Sequence, residues 1–185
     1  MITDSPTLTP EIVARTEFGS YGSNLTGFKY TQAFPNRVGL MVSGEYKKSD
    51  GYQYRADDNW KEYYNKPENE TFNVTTKLEY SVRPGSKVSF DYEHHNENPL
   101  SGTTTAYDNE YVENRVVGKY EGITDKFSYS GALFIHRRND TYHATRYSSS
   151  TESFSTPYYD GDIPKNETGF IGHVSTKFAN NTLTL

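Results

Sequence analysis

Four side chains that could bind a metal ion or carry protons lie together in the stretch DYEHH, at Asp91, Glu93, His94 and His95. Imidazole nitrogens and carboxylate oxygens are common ligands of Zn²⁺. Two neighbouring carboxylates can also divide the roles of acid and nucleophile in hydrolysis. Whether the stretch forms such a site depends on the secondary structure that positions these four residues.

The residues before the two histidines alternate between apolar and polar types, which predicts a β-strand. Val88, Phe90 and Tyr92 alternate with polar residues, and successive side chains of a strand point to opposite faces. His94 and His95 are therefore expected on opposite faces, where they cannot share a metal ion. Asp91, Glu93 and His95 share one face, with the two carboxylates about 6.6 Å apart along the strand. We expect this face to be a polar wall, and we predict neither enzymatic activity nor a metal or cofactor.

Other features of the composition narrow the class of protein. The chain has no cysteine, which excludes disulfides, thiolate metal sites and cysteine nucleophiles. Its net charge of -5 argues against nucleic acid as a partner. His136, His143 and His173 have no ligand partners at useful spacing. The chain has 17 Tyr and 10 Phe but few aliphatic residues. Because disordered chains generally lack aromatic residues, this composition predicts an ordered fold with one polar face.

The same alternation recurs along the chain and predicts an all-β fold. In ETFNVTTKLEYSVR, for example, Phe72, Val74 and Leu78 share a face that is opposite to the face of Lys77 and Glu79. We predict an antiparallel sheet of about eight strands, over residues 11–20, 24–34, 37–48, 70–83, 86–96, 111–122, 125–138 and 167–179.

The lengths of the strands and of their connections predict a transmembrane β-barrel rather than a soluble sandwich. Strands of about ten residues, tilted by about 40°, rise roughly 25 Å, which is the height of the apolar band of an outer-membrane barrel. Short turns alternate with three long connections, at about 48–70, 96–111 and 138–167. We therefore expect short periplasmic turns at one rim and long extracellular loops at the other, with outer-membrane lipid around the apolar face.

The charged residues of the alternate face are expected to line the lumen of the barrel. A wide barrel can leave such residues in water, whereas a sandwich has to expose them. The predicted lumen-facing residues are Glu45, Lys77, Glu79, Asp91, Glu93, His95, Arg115, Lys119 and Lys177.

The first part of the chain, over residues 11–52, resembles the first barrel strands of TonB-dependent outer-membrane receptors. The resemblance is carried by FGSYGS at Phe18 to Ser23 and by SGEYKKSDGY at Ser43 to Tyr52. It implies a location in the outer membrane of a Gram-negative bacterium and partnership with a plug domain and the TonB complex. It also implies uptake of a scarce small-molecule ligand, of the siderophore, haem, metal, cobalamin or glycan class.

The resemblance makes the rim with the long loops the entrance for the ligand. Tyr and Trp offer large contact areas at low entropic cost, and these loops are rich in Tyr. The candidate ligand-facing loop residues are Tyr52, Tyr54, Trp60, Tyr63, Tyr64, Tyr107, Arg146, Tyr158 and Tyr159.

The chain departs from the family in having no plug domain, no TonB box and about eight strands, whereas plugged outer-membrane transporters have about 22. We therefore expect an N-terminal segment of a larger barrel. One alternative is a complete eight-stranded outer-membrane barrel with a structural or adhesive role. Another is a secreted β-rich module that binds glycans through its Tyr-rich loops.

Overall fold

The computed structural model of the chain describes residues 6–50, 69–102, 105–148, 153–154, 159–178 and 181–184. These residues form an all-β structure, as predicted. The strands are β1 (Glu11–Phe18), β2 (Asn24–Ala33), β3 (Val38–Ser49), β4 (Asn69–Arg83), β5 (Ser86–Gly102), β6 (Thr105–Ile123), β7 (Phe127–Ser148), β8 (Ser153–Phe154), β9 (Tyr159–Phe178) and β10 (Asn181–Thr184). The part of the chain that the structure describes contains no helix long and apolar enough to cross a membrane.

The strands form one antiparallel sheet in which neighbours in sequence are neighbours in space. The order is β1-β2-β3-β4-β5-β6-β7-β9-β10, and the two-residue β8 pairs with β7. The eight long strands correspond to the eight predicted segments, and β8 and β10 are additional short strands. Among the described residues, β1 pairs only with β2 and β10 only with β9, so the sheet is open at both edges.

Four of the strands extend much further than predicted. β5 continues to Gly102, β6 begins at Thr105, β7 continues to Ser148 and β9 begins at Tyr159. The prediction of loops at 96–111 and 138–167 is therefore wrong over most of both segments. Backbone pairing explains the difference, because antiparallel partners such as Tyr111 and Asp140 continue the ladder with polar side chains. The predicted loop at 48–70 lies largely outside the described residues.

Tight turns connect the strands at one rim of the sheet, here called the short-turn rim. The β2–β3 turn closes with a bond from Phe34 N to Val38 O of 2.7 Å. The β4–β5 turn uses Gly85 at φ 76°, a conformation that glycine adopts without steric cost. In the β6–β7 turn, Thr124 N donates to Phe127 O at 2.7 Å. These turns place the starts of β3, β5 and β7 at the same level.

The register aligns the apolar side chains of successive strands on one face, here called the apolar face. One row crosses the sheet through cross-strand pairs, at Leu40, Leu78, Phe90, Gly118, Leu133 and Phe170. The opposite face carries most of the ionisable side chains and is here called the charged face. Its adjacent row joins Met41, Lys77, Asp91 and Val117.

In the central strands β4 to β7, the exposure of the two faces is the reverse of that in a soluble protein. On the apolar face, Phe90 is 48% exposed, Leu133 66% and Phe170 68%. On the charged face, Lys77 is 7% exposed, Ser89 4% and Asp140 0%. Extensive contacts in the described part join only strands that are neighbours in the sheet, so no second layer covers the apolar side chains.

The segment before β1 lies against the charged face near the short-turn rim. Thr7 O accepts a 2.6 Å bond from Ala33 N, and Thr7 N donates to Thr31 Oγ1 at 3.3 Å. Pro6 occupies the space into which a side chain at Gly39 would extend. These contacts help to bury Thr31, and they position the chain on the polar side of the sheet.

Candidate functional site

The charged face is the candidate functional site, and its part near the short-turn rim is a network of alternating charges. Lys77 Nζ lies 3.0 Å from Glu79 Oε1, which also accepts a bond from Lys87 Nζ at 3.2 Å. Lys87 continues to Glu121 at 3.5 Å, and Glu121 pairs with Lys119 at 2.6 Å. The five side chains join β4, β5 and β6 with alternating sign, and each of the two glutamates is paired with two lysines.

Asp91 lies next to this network, where the charges of Lys77 and Lys119 act on it. Its Oδ1 atom is buried and accepts no hydrogen bond from the described residues. A buried carboxylate oxygen without a partner is costly. The positive charges of Lys77 and Lys119 offset part of this cost.

The middle of the charged face pairs histidines and arginine with carboxylates. Arg115 lies 3.5 Å from Glu93. His136 lies 3.0 Å from Glu113 and 3.7 Å from Glu167. Glu93 is thus held by a guanidinium rather than set against Asp91 as an acid–base pair. Among the described residues no group of three His, Asp or Glu side chains has the geometry of a metal site.

His94 and His95 lie on opposite faces, as strand alternation predicts. His94 Nδ1 is 2.9 Å from Asn114 Oδ1, and its ring meets Phe72 edge-on at 6.1 Å. His95 Nδ1 is 2.6 Å from Asn73 Oδ1 on the charged face. Each imidazole has its own partner, and the two do not form a joint site.

A second cluster occupies the charged face beyond the apolar stretch of β7, which ends at Ile135. Asp140 accepts hydrogen bonds from Arg138 Nε, from Lys165 Nζ at 2.7 Å and from the Tyr142 hydroxyl at 3.5 Å. The Arg138 guanidinium lies 5.1 Å from the centre of the Tyr111 ring. Tyr111 and Tyr142 meet edge-on at 6.1 Å. We call these five residues the Asp140 cluster.

Asp140 is the electrostatic centre of this cluster. Burial on its own raises the pKa of the Asp140 carboxyl, but the hydrogen bonds from Arg138 and Lys165 outweigh burial and hold that pKa below its ordinary value. Burial and the Asp140 charge raise the pKa of the Tyr142 hydroxyl. The cluster therefore places the Asp140 carboxylate between the side chains of Arg138 and Lys165, with the two tyrosine rings beside them.

The fixed rings and cations of the Asp140 cluster suit contact with a solute. Aromatic rings offer flat, amphipathic surface, and cations next to them bind anionic or π-rich groups. Asp140 is fully buried, so its role is to position Arg138, Lys165 and Tyr142.

The structure brings most of the predicted lumen-facing residues to one face. Glu45, Lys77, Glu79, Asp91, Glu93, His95, Arg115 and Lys119 all occupy the charged face by register. Lys177 lies in β9 opposite Thr182, and its side chain lies outside the described part.

Three of the predicted loop residues are strand residues instead. Tyr107 lies in β6, Arg146 in β7 and Tyr159 in β9, because hairpin pairing continues past the predicted ends of these strands. Tyr107 and Tyr159 both pair with Ala144, so they flank one position of β7. The other candidate loop residues lie outside the described residues, at Tyr52, Tyr54, Trp60, Tyr63, Tyr64 and Tyr158.

The Asp140 cluster is not among the predicted sites, because the seventh strand is predicted to end at residue 138. The signal that could have found it is the continued alternation in RRNDTYHA, where Arg138, Asp140, Tyr142 and Ala144 fall on one face. Because both faces of this segment carry polar side chains, its composition resembles that of a loop. Only its pairing with β6 and β9 identifies it as a strand.

No protein-family model, curated protein or solved structure matches the chain. Its function is therefore inferred from its own residues and geometry.

Proposed function

We propose that the chain forms part of the barrel wall of a TonB-dependent receptor in the outer membrane of a Gram-negative bacterium. The receptor takes up a scarce solute, of the siderophore, haem, metal, cobalamin or glycan class. The observation that carries the proposal is the reversed exposure of the two faces of the sheet. Large apolar side chains are exposed on one face, and Lys77 and Asp140 are buried on the other.

A lipid bilayer is the environment that stabilises such a sheet. In water, the exposed row through Leu78, Phe90 and Leu133 has an unfavourable hydration free energy of about 25 cal/mol for each Å² of apolar surface. In a bilayer the same surface meets hydrocarbon, and the strand pairing satisfies the backbone N–H and C=O groups. The charged face then lines a hydrated lumen.

The open edges of the sheet favour a larger barrel over a complete small one. β1 pairs on one side only, and unpaired strand edges in hydrocarbon are costly. We propose that further strands of the receptor pair with β1 and with the opposite edge, which closes the barrel around the charged face.

The proposal of a plugged, TonB-dependent receptor draws on the resemblance of residues 11–52 and on the placement of the preceding segment. Pro6 and Thr7 lie on the charged face, which supports the proposal because a chain that follows a plug is expected to approach the first strand from that face. The charge network offers contacts to such a plug through its partly exposed members Lys87, Lys119 and Glu121. The Asp140 cluster, at the end of the charged face away from the short turns, offers contacts to the solute.

An uptake experiment tests the proposal. Cells that produce the protein are given radiolabelled iron–siderophore, haem, cobalamin or oligosaccharide, and accumulation is measured with and without a protonophore. We expect one solute to accumulate only in energised cells, with less uptake by the D140A variant than by a variant of the exposed turn residue, D125N. Uptake of no solute in the panel, or accumulation that does not depend on energy, would contradict the proposal.

A further inference from the structure

A cavity of about 580 Å³ lies at the short-turn rim and is separate from the Asp140 cluster. It lies within the size range of small-molecule pockets. Turns and strand ends from β2 to β9 contribute to its lining, and its cationic side chains are Arg37, Arg83 and Lys87. The hydroxyl groups of Ser81, Ser86 and Ser130 also line it, so the cavity offers both charged and neutral hydrogen-bond donors. We call this cavity the rim pocket.

The guanidinium groups of the rim pocket are positioned by hydrogen bonds. Arg37 Nη1 donates to Val82 O at 3.1 Å, and Arg37 O accepts from Ser81 N at 2.9 Å. Arg83 Nε donates to Ser86 Oγ at 3.4 Å. Arg83 also hydrogen-bonds to the Tyr129 side chain. These bonds tie the two arginines to β4, β5 and β7, and the remaining N–H groups of the two guanidiniums can bind a ligand.

The backbone of Arg37 adds a second observation. Arg37 has a φ of 69°, a left-handed conformation that favours Gly, Asn or Asp and is uncommon for a long side chain. Strained positions of this kind cluster at binding sites. Glycine would adopt this backbone conformation with less strain, but the arginine at this position places a cation at the pocket.

The charges of the rim pocket do not cancel. Its carboxylate, Glu121, is already paired with Lys87 at 3.5 Å and with Lys119 at 2.6 Å. Neither Arg37 nor Arg83 forms an ion pair with a carboxylate of the described residues. The pocket therefore has two guanidinium groups in excess, and guanidinium is the side chain best matched to the oxygens of a phosphate group.

We propose that the rim pocket binds a phosphate group through Arg37 and Arg83, with serine hydroxyls as additional donors. At a membrane surface, a phosphate group is available from two sources, the headgroup of an acidic phospholipid and soluble inorganic phosphate. Basic pockets between membrane-spanning helices bind acidic lipid headgroups, and two guanidinium groups at the rim of a sheet offer the same chemistry. The site goes beyond the proposed uptake function and does not depend on which solute is taken up.

Calorimetric titration in dodecyl maltoside micelles tests this site. The protein is titrated with inorganic phosphate and, separately, with short-chain phosphatidylglycerol. The R37Q/R83Q variant is expected to bind at least about tenfold more weakly, because hydrogen bonds from charged groups contribute on that scale. Arg137, an exposed arginine in the middle of β7 and away from the rim pocket, supplies the control R137Q, which we expect to bind like the unmodified protein.

The two titrants distinguish the sources. Binding of both, weakened by R37Q/R83Q, indicates recognition of the phosphate group itself, and binding of phosphatidylglycerol alone indicates a lipid headgroup. If neither titrant binds in a saturable way, or if R37Q/R83Q binds as tightly as R137Q, the proposal is wrong. Far-UV circular dichroism checks the fold, and the single variants R37Q and R83Q decide the matter if the double variant does not fold.

Discussion

Leu78 is 47% exposed, whereas Lys77, its neighbour in β4, is 7% exposed. The two side chains point to opposite faces of the same strand. The apolar side chain is exposed and the charged side chain is buried, which is the reverse of the usual arrangement in a soluble protein. Lys77 tolerates its position because Glu79 lies 3.0 Å from its ammonium group. Leu78 has no comparable protein cover, and in our proposal lipid provides it.

A charge introduced on the apolar face is expected to destabilise the protein in a bilayer. We expect L78K to lower the free energy of unfolding by about 2–4 kcal/mol, the cost of a lysine at the lipid face near the midplane. T75K is the control in the same strand, because Thr75 pairs with Glu93 on the charged face and the new lysine meets a carboxylate. Urea unfolding of the protein in lipid vesicles measures both. Equal losses for the two variants would contradict the assignment of the faces.

Removal of the Asp140 carboxylate is expected to loosen the Asp140 cluster. We expect D140A to lower the free energy of unfolding by about 2–3 kcal/mol, since hydrogen bonds to charged groups contribute about 1.5–3 kcal/mol and Arg138 and Lys165 are partly screened by solvent. D140N keeps the shape and is expected to lose less. D125N, in the exposed β6–β7 turn, is expected to change the value by less than about 0.5 kcal/mol. A neutral D140A would show that the cluster does not stabilise the fold.

The Asp140 contribution is expected to depend on pH. Because the pKa of Asp140 is lowered in the folded state, its stabilisation is fully present above the unfolded value of about 3.9 and is lost as the pH falls through the folded value. The difference in unfolding free energy between the unmodified protein and D140N should therefore stay constant from about pH 7 to pH 5 and shrink below about pH 4. Urea titrations from pH 7 to pH 3 measure it. A difference that persists unchanged at pH 3 would show that the carboxylate is not the source.

Two glycines of β6 are expected to respond differently to the same substitution. A Cβ atom at Gly122 would lie 2.2 Å from the Tyr129 ring, whereas a Cβ atom at Gly118 meets nothing within 4 Å. We expect G122A to destabilise by about 1–3 kcal/mol through displacement of Tyr129. G118A is expected to be neutral or to stabilise by up to about 1 kcal/mol. Thermal unfolding of both variants checks the packing of the Tyr129 ring over β6, and a neutral G122A would show that this packing is absent.

The sequence predicts the type of fold and the number of long strands because side-chain alternation is a local property. Phe90 and Asp91 differ in face whatever the rest of the chain does. The same rule separates His94 from His95, and it removes the metal site that DYEHH suggests. The sequence also predicts a segment of a larger barrel, but the pairing at each edge of the sheet depends on which strands are present and not on the alternation within β1.

The contacts of the charged face also needed the structure. Lys87 meets both Glu79 and Glu121 only because the register sets Ser81 and Glu121 opposite Lys87, and register depends on the turns as well as the pattern. The Asp140 cluster depends on pairs from three strands, and the rim pocket depends on how three turns approach one another. These are relations between distant segments, which a single pattern along the chain does not contain.

A scan of β7 with single cysteines tests the central claim most directly. The chain has no native cysteine, so each position from Ser128 to Ile135 can carry one fluorescent label in protein reconstituted in lipid vesicles. We predict that brominated lipid quenches labels at Tyr129, Gly131, Leu133 and Ile135, and that aqueous iodide quenches labels at the positions between them. Iodide quenching without a period of two, at Leu133 as strongly as at Ala132, would contradict a membrane-facing apolar surface and with it the proposed barrel wall.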